Sequence, residues 1–396
     1  MSKPRSRGTF LHAFPGLATG GAVHLKELRI AHFRNLASRE LEIPSEGAVL
    51  EGVNGQGKTN FLEAIHLLAR FQSFRGTPVS DAIAFGADHF RVEGSVLRED
   101  GDAHVVAVAS DASARRIALD GRSVAPSRAM GTVLAVLVAP EDLVLVAGSP
   151  SRRRAYLDGI LGVVSPLYRR AARDFERALR QRNEALRNDA AEAELATWDE
   201  ALVEAGVPVA VIRAGFVARC AERFAGLAGD IAGPGEANGG GPAAGYRMEY
   251  APSVAVAGAE AQDEAAVAAA WRTALREARH ADRGRGWTGV GPHRDDLALG
   301  LGGRPLARFG SQGEQRTAAI ALRLLEAEVV EGECGSRPIL LLDDVFSEID
   351  EERGARLLAR LDADGRRQRF ITTPREVAWI DGKLPRWRVS DGRLVT

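Results

Sequence analysis

Lysine is almost missing from this chain. Of its 52 basic residues only four, at positions 3, 26, 58 and 383, are lysine. Cysteine is scarcer still: Cys220 and Cys334 stand alone, with no C-x-x-C spacing and no nearby histidine, which excludes a disulfide framework and a zinc site and fits a reduced, cytoplasmic interior. Net charge is nearly absent, 53 acids against 52 bases leaving −1, so a surface for nucleic acid has to be a local patch. No stretch approaches the ~18 continuous apolar residues of a membrane span; the longest, Val133 to Ala139, suits a buried strand. Residues 1–22 lack the apolar core of a signal peptide and read as a disordered extension, the organised pattern beginning near Val23. What remains is 45% hydrophobic and 27% charged over 396 residues, an ordinary globular composition with room for two or three domains.

One of the four lysines ends Gly52-Val53-Asn54-Gly55-Gln56-Gly57-Lys58-Thr59, which fits G-x-x-x-x-G-K-[ST], the phosphate-binding loop of nucleotide hydrolases. Ala48 to Leu50 make a short strand before it, and Phe61, Leu62, Ile65, Leu67 and Leu68 the buried stripe of a helix after it. The glycines let the backbone bend close to phosphates, and N–H groups at the helix start, through Asn60, face the anion. Lys58 is expected at the β- and γ-phosphates and the Thr59 hydroxyl at Mg²⁺; the ligand is ATP or GTP.

Val23 to Ile30 and Arg39 to Ile43 form a hairpin, whose corner holds Arg34 and Asn35, either nucleotide contacts or a surface turn. Strand patterns follow at Phe90–Leu97, Val105–Ala109, Arg116–Leu119 and Val133–Val138. From Gly148 to about residue 231 the pattern is helical. Leu167, Ala171, Phe175, Ala178, Arg182 and Leu186 mark one helix, and Leu195 to Leu227 a second that Pro208 should kink or interrupt. The first would span roughly 36 Å, an arm protruding from a compact head. Gly233 to Gly245 reads as a flexible loop and Asp263 to His280 as a helix. Strands are expected again at Gly289–Asp296, Leu297–Leu301 and Arg304–Arg308, then a helix from Ser311, an apolar strand Ile339–Leu342, a strand Gln368–Ile371 and a terminal hairpin. The domains expected are 23–147 and 285–396 for a head, with a helical arm at 148–284 between them.

Ile339-Leu-Leu-Leu-Asp343-Asp344 is a Walker B pattern: the run buries a central strand and delivers both acids to its carboxyl end. Asp343 would join the Mg²⁺ shell, and Asp344 would orient or deprotonate the attacking water. Ser311, Gly313 and Gln315 open a helix between the two Walker motifs, by themselves a helix cap or an anion-binding end. P-loop, S-x-G-x-Q and h-h-h-h-D-D in that order resemble ATP-binding-cassette ATPases, an α/β fold with a mixed sheet and antiparallel strands alongside, and imply that the signature helix of one subunit closes on the nucleotide of another.

Further segments make the resemblance specific. N-G-Q-G-K-T-N-F-L-E-A-I-H-L-L at 54, S-F-R at 73, P-E-D-L at 140, G-S-P-S-R-R-R at 148, R-Q-R-N at 180, G-P-H-R-D-D-L at 291, S-Q-G-E-Q-R at 311 and L-L-L-D-D-V-F-S-E-I-D at 340 resemble the RecF family of bacterial recombination and repair proteins, in order over residues 23–396. The resemblance implies an ATPase head with a short helical arm, ATP-dependent dimerisation, binding to double-stranded and gapped DNA, weak DNA-stimulated hydrolysis, and help with RecO and RecR in loading RecA.

Between Arg152 and Arg187 there are ten arginines against four acids. Arg152, Arg153, Arg154, Arg169, Arg170, Arg173, Arg177 and Arg180 are the DNA-binding candidates, a phosphate track or a solvated helix face. Asp344 stands where most cassette ATPases have Glu, so hydrolysis is expected to be slow and ATP to act as a clamp. Thr372 or Thr373 takes the place of a switch histidine, and no residue stands out for the glutamine loop. His293 and Arg294 of G-P-H-R-D-D either touch phosphate or belong to an Arg-Asp brace. The rival readings are a transporter's nucleotide-binding subunit, disfavoured by the Arg-rich arm, and an ATP-clamped scaffold without useful hydrolysis.

Overall fold

The structure is a computed structural model and describes residues 21–98, 101–233, 245–256, 263–363, 367–374 and 384–395. The strands are β1 (Gly21–Ala31), β2 (Arg39–Glu42), β3 (Gly47–Glu51), β4 (His89–Arg98), β5 (Ala103–Asp111), β6 (Arg115–Leu119), β7 (Arg122–Ser123), β8 (Ala135–Val138), β9 (Tyr246–Ala251), β10 (Asp296–Leu301), β11 (Arg304–Pro305), β12 (Ser336–Arg337), β13 (Ile339–Leu342), β14 (Arg369–Thr373), β15 (Arg386–Ser390) and β16 (Arg393–Val395). The helices are α1 (Lys58–Arg70), α2 (Pro126–Ala129), α3 (Leu143–Ala147), α4 (Pro150–Val164), α5 (Pro166–Arg187), α6 (Glu192–Ala232), α7 (Glu264–Arg285), α8 (Leu306–Phe309), α9 (Gln312–Cys334) and α10 (Glu351–Ala363).

Side-chain alternation explains how the central sheet is covered. It runs β16-β15-β3-β14-β13-β8, parallel throughout except for the β15–β16 hairpin. Val49, Val136, Val138, Leu340, Leu342 and Ile371 belong to one core, with α4, α5, α6 and α9. Ala48, Leu50, Ala135, Leu137, Ile339, Leu341 and Phe370 belong to another, with α1 and the second sheet. Both faces are buried, so no position in Ile339–Leu342 tolerates a polar side chain.

The second sheet, β12-β1-β4-β5-β6-β7 with β2 on β1, is antiparallel except where β1 meets β12. This is the α/β head with antiparallel strands alongside that the sequence suggests. α1 lies between the sheets, with Phe61 edge-on to Phe370 and Trp387 at 5.6 and 5.8 Å. β8 pairs with β13, so the expected strand at 133–138 leaves the antiparallel run. The ordered pattern starts at Gly21 rather than Val23, because Gly21 and Ala22 pair with β12; most of the expected extension, and of the loop 233–245, lies outside the described residues.

The arm differs more from expectation. α6 runs unbroken for 41 residues through Pro208. The missing proline N–H removes one bond of the ladder, but Leu202, Val203, Val207, Val209 and Ala210 around it are all buried and hold the helix together. At Gly206 a Cβ would stand 2.6 Å from Trp271 and 2.9 Å from Phe175, so only glycine lets α5 and α7 close on α6. α6 has the length and hydropathy of a membrane span, yet its apolar residues are packed against neighbouring helices. The arm core is continuous with the core under the parallel sheet; only Ala185, Leu186 and Leu195 form a separate cluster near the tip. The buried stripe of α5 begins at Tyr168, while Leu167 is exposed, because the tyrosine hydroxyl bonds to Asp158 and to Arg213 inside.

Residues 289–295 are turns, not a strand: Gly291 takes φ 127° and Pro292 follows it. The expected strand Arg304–Arg308 is the two residues of β11 and then the short α8, whose Leu306 is buried. β9, β10 and β11 form a separate small sheet.

Candidate nucleotide site and basic surface

The loop between β3 and α1 is shaped by Gly55 and Gly57, at φ 83° and 112°. Gly57 is the N-cap of α1 and supplies no side-chain cap, and the first turn contains no acid. Among the described residues no side chain caps the first N–H groups of the helix, which is the condition for anion binding. Lys58 folds back over the loop, donating to the carbonyls of Gly52 at 2.6 Å and Val53 at 3.0 Å. Burial lowers its pKa, and the charges of Asp344 and Asp343 oppose that shift.

The two Walker motifs meet in one hydrogen bond: Thr59 Oγ1 donates to Asp343 Oδ1 at 3.0 Å. Asp343 directly follows β13 and is buried. Thr372 Oγ1, at the end of the neighbouring β14, donates to the same oxygen at 2.7 Å and accepts from Asp344 N at 2.9 Å. Burial pushes the Asp343 carboxyl up, against the two hydroxyl donors, and the charges of Glu141 and Asp344 push the same way. Asp344 sits at φ 50°, a strained region for a non-glycine residue, and accepts from Ser347 Oγ at 2.5 Å. A hydroxyl beside a carboxylate at the mouth of a phosphate loop is the hard oxygen set that Mg²⁺ takes, so Thr59 and Asp343 fit that ion.

Sequence reasoning missed Glu141 and left Thr372 and Thr373 undivided. Glu141 follows β8, which is adjacent to β13 only through the sheet order. Its signal was P-E-D-L; the next acid, Asp142, ties this corner to α9 through Arg323 at 2.6 Å.

Around the loop, Asn35 Nδ2 donates to the Gly55 carbonyl at 3.1 Å and its Oδ1 accepts from Asn60 at 2.7 Å. Gln56 Oε1 accepts from Asp391 N at 2.6 Å. Arg34, a nucleotide-binding candidate, instead makes a bidentate pair with the buried Glu63 of α1, at 2.7 and 3.1 Å, and donates to the Asp81 carbonyl at 2.8 Å. Ser73 and Arg75 of S-F-R bond to the same Glu63, at 2.6 and 3.1 Å. This corner braces α1 from behind.

Ser311 caps α9 in a reciprocal box with Glu314. A Cβ on Gly313 would stand 2.1 Å from an Arg353 nitrogen. The Gln315 amide donates to the carbonyls of Leu306 at 3.1 Å and Gly310 at 3.2 Å, so it fixes the preceding turn and is not free for a ligand. Arg316 donates to the Glu348 carbonyl at 2.5 Å and pairs with its carboxylate. Among the described residues, 311–316 share no hydrogen bond or ion pair with 52–60 of the same chain.

The arginine candidates divide. Arg153 is buried in a bidentate pair with Asp296 at 2.7 and 2.8 Å. Arg154 donates to the Asp295 carbonyl at 2.7 Å and Arg169 to the Gly162 carbonyl at 2.6 Å. Arg153 is thus an internal strut, while Arg154 and Arg169 are half-buried and tied to backbone carbonyls. Arg182 is fully buried between Asp199 and Asp282, at 2.6 and 2.8 Å. Arg152, Arg170, Arg173, Arg177 and Arg180 are exposed, as is Arg187. Positions 170, 173, 177, 180 and 187 fall on one face of α5, and its pairs with Asp174 and Glu176 are long, 3.8 to 4.0 Å. In G-P-H-R-D-D the acids are braces: Asp295 accepts from Ser253 N at 2.6 Å and from the Tyr250 hydroxyl.

The model for the RecF/RecN/SMC N terminal domain matches residues 24–382. A DNA replication and repair protein RecF from Anaeromyxobacter dehalogenans is 38% identical over 353 residues, 88% of this chain and 92% of that one. The RecF of Bacillus subtilis is 33% identical over 384 residues, 94% of this chain and 100% of that one. Among solved structures, the recombination mediator protein RecF-ATP of the RecFOR pathway superimposes with a TM-score of 0.83 at 29% identity, over 95% of this chain and 98% of that chain. The Smc head domain of Pyrococcus furiosus, at a TM-score of 0.52 and 15% identity, shares the fold.

Proposed function

The chain belongs to the RecF family, and from that premise we propose that it is a cytoplasmic DNA-binding ATPase of replication and recombinational repair. ATP closes two copies into a dimer, the dimer holds double-stranded or gapped DNA along the arm without reading sequence, and with RecR and RecO it helps load RecA. The head is built from residues 23–147 and 285–396, with the arm between.

One observation carries this reading. The Walker motifs are joined inside one chain by Thr59 and Asp343, while Ser311 to Arg316, equally well built, share no hydrogen bond or ion pair with the phosphate loop among the described residues. A second copy is what brings Ser311 and the N–H groups of α9 to the phosphates.

Within each half, the N–H groups opening α1 and Lys58 would bind the phosphates once the ammonium turns from the Gly52 and Val53 carbonyls to the ligand. Mg²⁺, when bound, supplies neutralisation of phosphate charge, and Thr59 and Asp343 would hold it. Asp344 orients the attacking water. As a shorter acid than Glu, tied to Ser347, it holds that water loosely, so turnover stays below about 10 s⁻¹, with DNA accelerating it.

Sedimentation velocity of the purified chain without DNA tests the reading. A dimer with ATP and Mg²⁺, absent with ADP and absent in Lys58→Met, is expected, because a ligand that favours the dimer drives association. A monomer under every condition would remove the two-chain site.

A further inference from the structure

G-P-H-R-D-D is the motif that the nucleotide site leaves unused, and its residues face two ways. Asp295 and Asp296 turn inward, to Tyr250 and Ser253 and to Arg153. Arg294 turns outward, its guanidinium 4.0 Å from the centre of the Trp287 ring, with Arg285 4.5 Å from the same ring. Among the described residues Arg294 has no ion pair, and its contacts to the Thr288 carbonyl are long, 3.3 and 3.4 Å. Trp287 is 37% exposed.

This outward pair stands on a rigid base. The Thr288 N–H and hydroxyl both donate to Asn183 Oδ1, at 2.8 and 2.7 Å, and the hydroxyl accepts from the buried Arg182 at 2.9 Å. Gly289 N donates to Asp282 at 3.0 Å, and Arg213 donates to the Pro292 carbonyl at 2.8 Å. Arg187, the last exposed arginine of α5, has its Cγ 3.3 Å from where a Cβ of Gly286 would stand. The ring and its cations therefore continue the stripe of Arg170, Arg173, Arg177, Arg180 and Arg187.

An intact duplex is held through its phosphates and has no use for an exposed ring beside that track. Unpaired bases do, since they stack on aromatic faces and on guanidinium planes. We propose that Trp287 and Arg294 form a stacking site for an unpaired base of single-stranded nucleic acid, with Arg187 on a flanking phosphate and Arg285, paired with Asp282 at 3.0 Å, holding the ring in place. The arm track then ends in a reader of strand discontinuity. This rests on the arm as the DNA surface.

The test is fluorescence anisotropy of the full chain with ATP and Mg²⁺ on two labelled probes, a blunt duplex and the same duplex with a single-stranded tail of about ten nucleotides. The chain is expected to prefer the tailed probe. Trp287→Ala should lose about tenfold on that probe and stay within about twofold on the blunt one, with Trp287→Phe retaining most of the preference. Arg294→Gln should lose part of it. No preference in the unaltered chain, or an equal loss on both probes, overturns the proposal. Arg170, Arg173 and Arg177 replaced together by Gln should weaken both probes. If that variant binds the blunt duplex normally while Trp287→Ala still removes the tail preference, the arm reading falls and the stacking site stands.

Discussion

The Thr372 hydroxyl holds Asp343 and Asp344 together, giving its proton to the carboxylate of the first at 2.7 Å and accepting the backbone N–H of the second at 2.9 Å. Thr372→Val removes both bonds while keeping the shape, and leaves a buried acceptor and donor short of a partner, a loss of about 1–3 kcal/mol each. ATP hydrolysis, followed by phosphate release, should fall tenfold or more, to about the level of Asp344→Asn; Thr372→Ser should restore most of it. A Val variant with normal turnover would remove Thr372 from the machinery.

Gly313→Ala forces Arg353 out of its place against the start of α9, since the new methyl would meet the guanidinium at 2.1 Å. Relief requires either the arginine or the helix end to shift. ATP-dependent dimerisation should weaken by about 1 kcal/mol or more, read as a higher dimer dissociation constant in sedimentation, with ATP binding to the monomer unchanged.

The two kinds of arm arginine should separate on unfolding. Arg182→Leu leaves the buried Asp199 with Arg279 and the buried Asp282 with Arg285 in place of their shared cation and should cost about 3 kcal/mol in urea unfolding. Arg177→Ala, on the exposed face, should stay within about 0.5 kcal/mol. Equal losses would contradict the division.

His66 on α1 gives a pH signature. Burial, then the charges of Arg70 and Arg323, push its imidazole from 6.5 down to about 3. Between those values the unfolded chain takes up a proton that the folded chain refuses. Stability is therefore undiminished above about pH 6.5 and declines as pH falls below it, by at most about 1.4 kcal/mol per unit from this residue. His66→Phe, which keeps a ring against Phe74, should flatten the acid side of a plot of urea midpoint against pH.

Where a local structure is written in consecutive residues, the sequence was readable. The P-loop, the Ile339–Leu342 run with its acids and the Ser311 cap are local, each needing only its own turn or strand. What escaped was decided by distant partners. Helical spacing marks Arg153, Arg169 and Arg177 alike, and only the fold brings Asp296 to Arg153 across 143 positions. Glu63 captures Arg34 in the same way. Glu141 and Thr372 approach Asp343 because β8 and β14 flank β13, an order that no single strand carries. Residues 289–295 misled because Gly and Pro were counted within an apparent strand, where the chain turns.

The unbroken course of α6 has a mechanical meaning. At 41 residues it is a rod roughly 60 Å long, packed at one end on α9 and α10 and at the other on the tip of the arm. No joint separates the helix that carries Ser311 from the surface that carries the exposed arginines. A turn of about 5° at the head would sweep the far end of such a rod through about 5 Å. Any rotation of the head that carries α9 therefore carries the arm with it, and the proline that looked like a break lies in the buried middle of the rod.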